Sequence, residues 1–178
     1  MRNSDGQNNL VWVNKTFPNV VVKTHFGNTY LNRLYKNKWM LIYSNPYDMI
    51  PGNRTEKVEL IDALVNLREL NCQLVGFSSR SFEEHLACTN WINSYLCDEN
   101  VFPVFYQADN TFDTMLYDEI KRTKKEIKDP IYLVDGLGVA RIIINGINPG
   151  ERNMKAVLAN LGKIILNEQA LHKASFKS

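Results

Sequence analysis

The stretch KWMLIYSNPYDMIPGNRTEKVEL, residues 38–60, decides the fold, because a buried strand and an amphipathic helix meet in it. Residues 38–44 are nearly all apolar, as expected of a central strand buried on both faces. From 54 to 71, apolar residues recur about every 3.6 positions, which predicts a helix. Asn53 and Glu56 have the spacing of an N-cap and its capping-box partner, so we expect them to start this helix together.

Predicted strands and helices alternate on both sides of this stretch in the sequence. A β-rich run comes first at 20–26, and a second buried strand follows the helix at 73–78. The remaining predicted elements are a helix at 81–96, an extended segment at 102–107, a helix at 111–120, a hairpin of 130–135 with 139–147, and a final helix at 151–165. This order predicts an α/β protein of the thioredoxin-like fold, in which a mixed central sheet carries helices on both faces.

Length and composition favour a single domain that needs no disulfide to fold. The chain has 178 residues, of which 44% are hydrophobic, enough for a full core. We expect a flexible N-terminal tail at 1–16, one domain at 17–166 and a C-terminal tail at 167–178. The net charge of +2 is too small to indicate a nucleic-acid surface. The basic run at 121–128 is interpreted as a solvated face.

The N-terminal residues and the number of cysteines indicate a cytoplasmic protein. The first ten residues are polar and lack the apolar core of a signal peptide, and no apolar run is long enough to span a membrane. The three cysteines are an odd number and form no disulfide framework. Cys72 and Cys88 are predicted to be buried, and acidic neighbours of Cys97 argue against a reactive thiolate there. No metal site or cofactor is predicted.

The residues from Asn45 to Glu56 resemble the active-site motif of peroxiredoxins of the alkyl hydroperoxide reductase and one-cysteine type. That motif reads His-Pro-x-Asp-Phe-Thr-Pro-x-Cys-Thr-Thr-Glu. The similarity continues through His-Leu-Ala at 85–87, the Phe-Pro segment at 102–110, and Arg-Asn at 152–153. It covers about residues 17–166, and it implies the peroxiredoxin variant of the thioredoxin-like fold.

The resemblance implies a peroxide pocket in this chain whose chemical groups are altered. In the family, a thiolate attacks the peroxide, a helix N-terminus and arginines lower its pKa, and a threonine orients the peroxide. Here Asn53 stands in the place of the cysteine, Ile50 in that of the threonine and Asp129 in that of the first arginine. The degenerate pocket then comprises Pro46, Ile50, Asn53, Glu56, Asp129 and Arg152.

These changes predict a non-catalytic, peroxiredoxin-like pseudoenzyme that acts as a scaffold, a regulator or a co-assembling subunit. One alternative is an active antioxidant thiol peroxidase that uses a relocated cysteine among Cys72, Cys88 and Cys97. Another is a small-molecule binding module that uses the old peroxide pocket. The resemblance also implies a homodimer through an edge strand at 139–147, a higher oligomer, or co-assembly with an active peroxiredoxin. Neither nucleic acid nor a membrane is an expected partner.

Overall fold

A computed structural model describes residues 10–17, 19–24, 27–44, 52–78, 83, 104–106, 130–144 and 154–176. The strands among these residues are β1 (Leu10–Thr16), β2 (Val21–Thr24), β3 (Gly27–Tyr30), β4 (Trp39–Tyr43), β5 (Cys72–Ser78), β6 (Val104–Tyr106), β7 (Ile131–Val134) and β8 (Val139–Ile144). The helices are α1 (Asn32–Tyr35), α2 (Arg54–Glu69) and α3 (Met154–Ser175). All eight strands join one sheet in the order β1-β8-β7-β4-β5-β6-β2-β3.

β4 lies at the centre of this sheet and is fully buried. It pairs in parallel with β5 and antiparallel with β7, so the sheet is mixed. Successive side chains of a strand point to opposite faces. Accordingly Trp39, Leu41 and Tyr43 enter one core cluster, whereas Met40 and Ile42 enter the other. The prediction of a mixed α/β sheet around this strand is confirmed.

The two faces of the sheet are covered differently. α2 and α3 contact each other on one face, where their apolar side chains pack over β4, β5, β7 and β8. The helix residues buried in this cluster are Leu60, Leu64, Leu67, Leu158, Leu161 and Ile165. On the other face, Val13, Phe17, Val22 and Leu31 are buried, with Leu34 of α1 packed against them. Helices therefore contact both faces, although α1 has only four residues.

The predicted strand–helix–strand unit around β4 is confirmed. β4, α2 and β5 match the predictions of 38–44, 54–71 and 73–78 within two residues. α2 ends where Asn71 takes a positive φ of 59°, a helix terminus that asparagine tolerates. The Asn71 carbonyl then accepts a hydrogen bond from the Trp39 amide at 3.0 Å, which sets β5 beside β4.

Other predicted elements differ in extent. The β-rich run at 20–26 contributes to a hairpin of β2 and β3, closed where Thr24 Oγ1 donates to the Gly27 carbonyl at 2.7 Å. The extended segment at 102–107 contains the short strand β6, and the hairpin at 130–147 forms β7 and β8. The helices predicted at 81–96 and 111–120 lie outside the described residues, apart from the helical Glu83.

Regular structure extends beyond the predicted domain limits of 17 and 166. Residues 10–16, predicted to be flexible, form β1, because Val11 and Val13 alternate with exposed Trp12 and Asn14 as a half-buried strand requires. Residues 167–175, predicted to be a tail, continue α3. Their helix is held to α2 where the Gln169 side chain donates to the Leu70 carbonyl at 3.3 Å. Tails at 1–9 and 177–178 stay predictions.

The prediction that strand 139–147 is an edge strand is wrong for this fold. β8 pairs antiparallel with β7 on one side and with β1 on the other. Its Ile142, Ile143 and Ile144 are all buried, and an open edge beside such an apolar strand would invite aggregation. Among the described strands, the edges are β1 and β3.

The turn between β7 and β8 is built around the buried carboxylate of Asp135. Its Oδ1 accepts hydrogen bonds from the amides of Leu137 and Val139, each at 2.9 Å. Its Oδ2 accepts from Arg141 Nε and lies 2.8 Å from Arg141 Nη2. The free end of the same guanidinium donates to Asn14 Oδ1 at 2.9 Å, which connects the turn to β1.

The described helices were also compared with the length and hydropathy of a membrane span. Among the helices that the structure describes, none is long and apolar enough to cross a membrane.

Replacing Asp135 with alanine should destabilise the protein by about 3 kcal/mol, because it leaves two turn amides and a partly buried guanidinium without their acceptor. Asp135→Asn is the matched control. It keeps an oxygen for the amides of Leu137 and Val139 but removes the charge that faces Arg141, so we expect roughly half the loss. Urea unfolding followed by circular dichroism measures both. Equal stability of wild type and Asp135→Ala would contradict the role assigned to this turn.

Candidate functional site

The N-terminus of α2 is the described part of the predicted peroxide pocket. Asn53 lies in extended backbone, with φ −151° and ψ 174°, immediately before the first helical residue. Its side-chain oxygen accepts a hydrogen bond from the Glu56 amide at 2.9 Å, and its carbonyl accepts from the Lys57 amide at 3.1 Å. Asn53 is therefore the N-cap that the sequence predicted.

Glu56 folds back over the start of the helix, as predicted, but reaches a different amide. Its Oε2 accepts a hydrogen bond from the Gly52 amide at 2.8 Å, whereas a standard capping box would use the amide of the N-cap residue. Gly52 allows this approach, because a β-carbon there would lie 3.1 Å from Glu56 Oε2. The negative carboxylate also lies where the helix dipole is positive, which stabilises the helix.

A hydrogen bond joins the end of β4 to the start of β7. The Ser44 hydroxyl donates to the Pro130 carbonyl at 2.7 Å, which joins the last residue described after β4 to the first one described before β7. Pro46, Ile50, Asp129 and Arg152 lie outside the described residues. Of the predicted pocket, the structure therefore brings together Asn53 and Glu56, and the positions of the other four residues stay predictions.

Cys72 is far from this site, and its thiol is buried with a raised pKa. It begins β5 and pairs with Trp39 at the start of β4, whereas Asn53 follows the end of β4. The sixteen residues of α2 separate the two positions by about 24 Å. Burial raises the pKa of the Cys72 thiol from 9.0 to about 12, and a hydrogen bond with the Leu41 backbone offsets only part of this. The predicted burial of Cys72 is confirmed, and Cys88 and Cys97 lie outside the described residues.

Two concave regions were missed by the sequence interpretation. A groove of about 670 Å³ runs between α2 and α3. A cavity of about 330 Å³ lies beside the β7–β8 turn, lined by Trp39, Arg141, His172 and Phe176 among others. Both depend on how α3 packs, so no local motif could reveal them. Within the described ranges, no group of three histidine, cysteine, aspartate or glutamate residues could hold a metal ion.

Substituting Asn53 by alanine should lower the free energy of unfolding by about 1 kcal/mol, because the Glu56 amide loses its acceptor. Asn53→Asp is the control, since its carboxylate keeps the acceptor and adds a charge that the helix dipole favours. Urea unfolding of the three proteins tests this order. A stability of Asn53→Ala equal to that of Asn53→Asp would refute the cap.

The Cys72 thiol should resist alkylation by iodoacetamide in the native protein at about pH 8, because almost none of it is ionised. The unfolded thiol ionises near 9.0, so the stability contributed by the raised pKa is complete below that pH. That contribution is lost as the pH rises toward about 12. Peptide mass mapping with and without urea measures the reaction at each cysteine. Rapid labelling of Cys72 without urea would contradict its burial.

Comparisons with known proteins agree with this fold. The model of the AhpC/TSA family matches residues 13–138. A peroxiredoxin from Methanothermobacter marburgensis is 31% identical over 128 residues, which are 72% of this chain and 60% of that protein. One from Archaeoglobus fulgidus is 28% identical over 153 residues, 86% of this chain and 71% of the relative. The chain thus spans about three fifths of the length of the first of these relatives.

Solved peroxiredoxin structures share the architecture. A yeast mitochondrial 1-Cys peroxiredoxin superposes with a TM-score of 0.60 at 20% identity, over 89% of this chain and 78% of that one. AhpC of Mycobacterium bovis superposes with a TM-score of 0.60 at 14% identity, over 86% and 97%. Identities this low carry the fold alone, whereas the family match covers most of the chain. This protein therefore belongs to the AhpC/TSA family and has the thioredoxin-like fold of the peroxiredoxins.

Proposed function

We propose that this chain is a non-catalytic peroxiredoxin-like protein that works by associating with other proteins. The observation that carries the proposal is the role of Asn53, which caps α2 at the position where the family resemblance requires a nucleophilic cysteine. In the family reaction, the thiolate sulfur attacks one peroxide oxygen and the O–O bond breaks. The attacked oxygen stays on sulfur as a sulfenic acid, and the other leaves, after protonation, as water or an alcohol. A carboxamide has no sulfur to oxidise, so the covalent route is lost.

The hydrogen bonds around Asn53 support a structural role for this helix terminus. Two backbone donors, the amides of Glu56 and Gly52, are used by side-chain oxygens of the chain itself. Amides at a helix N-terminus are otherwise ready to hold an anion or a polarised oxygen. With these two amides occupied, the terminus offers a peroxide fewer donors.

The other predicted pocket residues extend the proposal. Ile50 would offer no hydroxyl to orient a peroxide, and Asp129 would bring negative charge where a thiolate needs positive charge. Pro46 and Arg152 would be the retained parts of the family pocket, beside Glu56. An anion-binding role for this pocket remains the alternative that these residues leave open.

The relocated-cysteine alternative loses one of its three candidates. Cys72 is a free, buried thiol with a pKa of about 12, at the far end of α2 from the family site. A peroxidatic thiol needs a lowered pKa and access to solvent. Cys88 and Cys97 are therefore the two remaining candidates for a relocated peroxidatic cysteine. A free buried thiol also fits the cytoplasmic location that we propose.

Association would use surfaces other than the strand that the sequence first suggested. Because β8 is paired on both sides, strand pairing between copies would use β1, whose Trp12 is 60% exposed. A Plasmodium yoelii peroxiredoxin of this fold forms an artifactual octamer when its N-terminus is modified, so the fold is compatible with assembly beyond a dimer. If the partner is an active peroxiredoxin, co-assembly with it would give this chain a regulatory role.

Wild-type protein should consume hydrogen peroxide no faster than buffer, with either thioredoxin or a small thiol as reductant. Asn53→Cys should react slowly, since its thiol would gain the helix N-terminus but meet Ile50 and Asp129. The triple variant Ile50→Thr, Asn53→Cys, Asp129→Arg should react much faster than the single one. Peroxide loss and sulfenic-acid formation, followed by mass spectrometry, measure all three.

The matched control is Asn53→Ser, which has the size of cysteine without its sulfur and should stay inactive. Peroxide turnover by the wild type would overturn the proposed function. Equal rates for the single and triple variants would show that the rest of the pocket is intact.

A further inference from the structure

The groove between α2 and α3 has an apolar floor. Its lining residues of this kind come from both helices: Ala63, Leu67, Leu70, Leu158, Gly162 and Leu166. Gly162 faces Leu70 across the groove, and a β-carbon there would lie in ordinary contact, 3.5 Å from Leu70 Cδ1. At the outer end of the floor, Leu166 is 51% exposed. The volume of about 670 Å³ lies in the range of sites that bind another molecule.

One rim of the groove is acidic. Four polar residues of α2 line it, and three of them are carboxylates: Glu59, Asp62, Asn66 and Glu69. Their spacing of three, four and three residues keeps them on one stripe of the helix. Lys163 of α3 is the one basic residue among those that line the groove. The chain as a whole carries a net charge of +2, so this negative rim is a local feature.

The groove is long enough to take about three turns of another helix. Residues three and four apart on α2 and α3 form the ridges and grooves into which another helix packs. The rim from Glu59 to Glu69 is about 15 Å long, the length of roughly three helical turns. A helix seated there would place apolar side chains on the floor and basic side chains against the α2 rim.

We propose that this groove binds a basic amphipathic helix of a partner protein. The inference rests on the proposed function, because a chain that works by association needs a surface for its partner. The partner helix would place apolar side chains on the floor of the groove. Its lysine or arginine side chains would be attracted to the carboxylates of Asp62 and Glu69. Both of these side chains are exposed at the rim.

The test uses the full chain and a synthetic helical peptide of about 18 residues, or five turns, with leucine on one face and lysine on the other. Fluorescence anisotropy measures its binding. We expect micromolar affinity that falls with added salt. Asp62→Lys and Glu69→Lys should each weaken binding about tenfold, and Lys163→Glu should strengthen it several-fold. Leu166→Ala should also weaken it, because the floor loses apolar contact.

Two controls separate the groove from general charge effects. Glu168→Lys makes the same charge change on α3 but lies beside the separate cavity at the β7–β8 turn, so it should leave binding within about twofold of wild type. A peptide with glutamate in place of lysine should not bind. Circular dichroism checks that each variant is folded.

Three outcomes would overturn the inference. They are failure of the lysine peptide to bind, equal weakening by Asp62→Lys and Glu168→Lys, and a wild-type dimer in light scattering that Asp62→Lys dissolves. The last outcome would assign the groove to a second copy of the chain. Peroxide turnover by the wild type would refute the proposed function but leave the peptide result standing, so the two failures are distinguishable.

Discussion

The carboxylate of Asp135 organises three of the eight strands of the sheet. It closes the turn from β7 to β8 through two backbone amides, and it orients Arg141, which reaches across to Asn14 of β1. Three strands are thus positioned by one buried charge whose oxygens all have partners. A buried carboxylate is tolerable only when it is satisfied in this way. Because β1 is held in place, the apolar strand β8 has no open edge, and β1 replaces it at the border of the sheet.

Local hydrogen bonds likewise hold the helix terminus at Asn53. β4 delivers the chain to the start of α2, and the Ser44 hydroxyl joins that end of β4 to Pro130 before β7. Asn53 then satisfies one of the amides that every helix leaves unpaired at its N-terminus, and Glu56 accepts from the Gly52 amide just before the cap. The start of α2 is therefore stabilised by side chains of the chain itself.

Two features of the described surface support the proposed association. The exposed Trp12 marks the border strand β1, and the groove between α2 and α3 combines an apolar floor with an acidic rim. α3 continues to Ser175, beyond the predicted helix, and is held to α2 by the contact of Gln169 with Leu70. These features support the proposal that the chain works by association.

Sequence alone determined what depends on neighbours in the chain. The apolar run of β4, the periodicity of α2, and the cap formed by Asn53 and Glu56 are local, so spacing and residue type were enough to predict them. The pairing of β1 with β8, the network around Asp135 and the groove beside Gly162 join residues far apart in the chain. Only the tertiary structure decided these, because hydrogen-bond partners and packed faces are chosen by the folded sheet and not by local propensity.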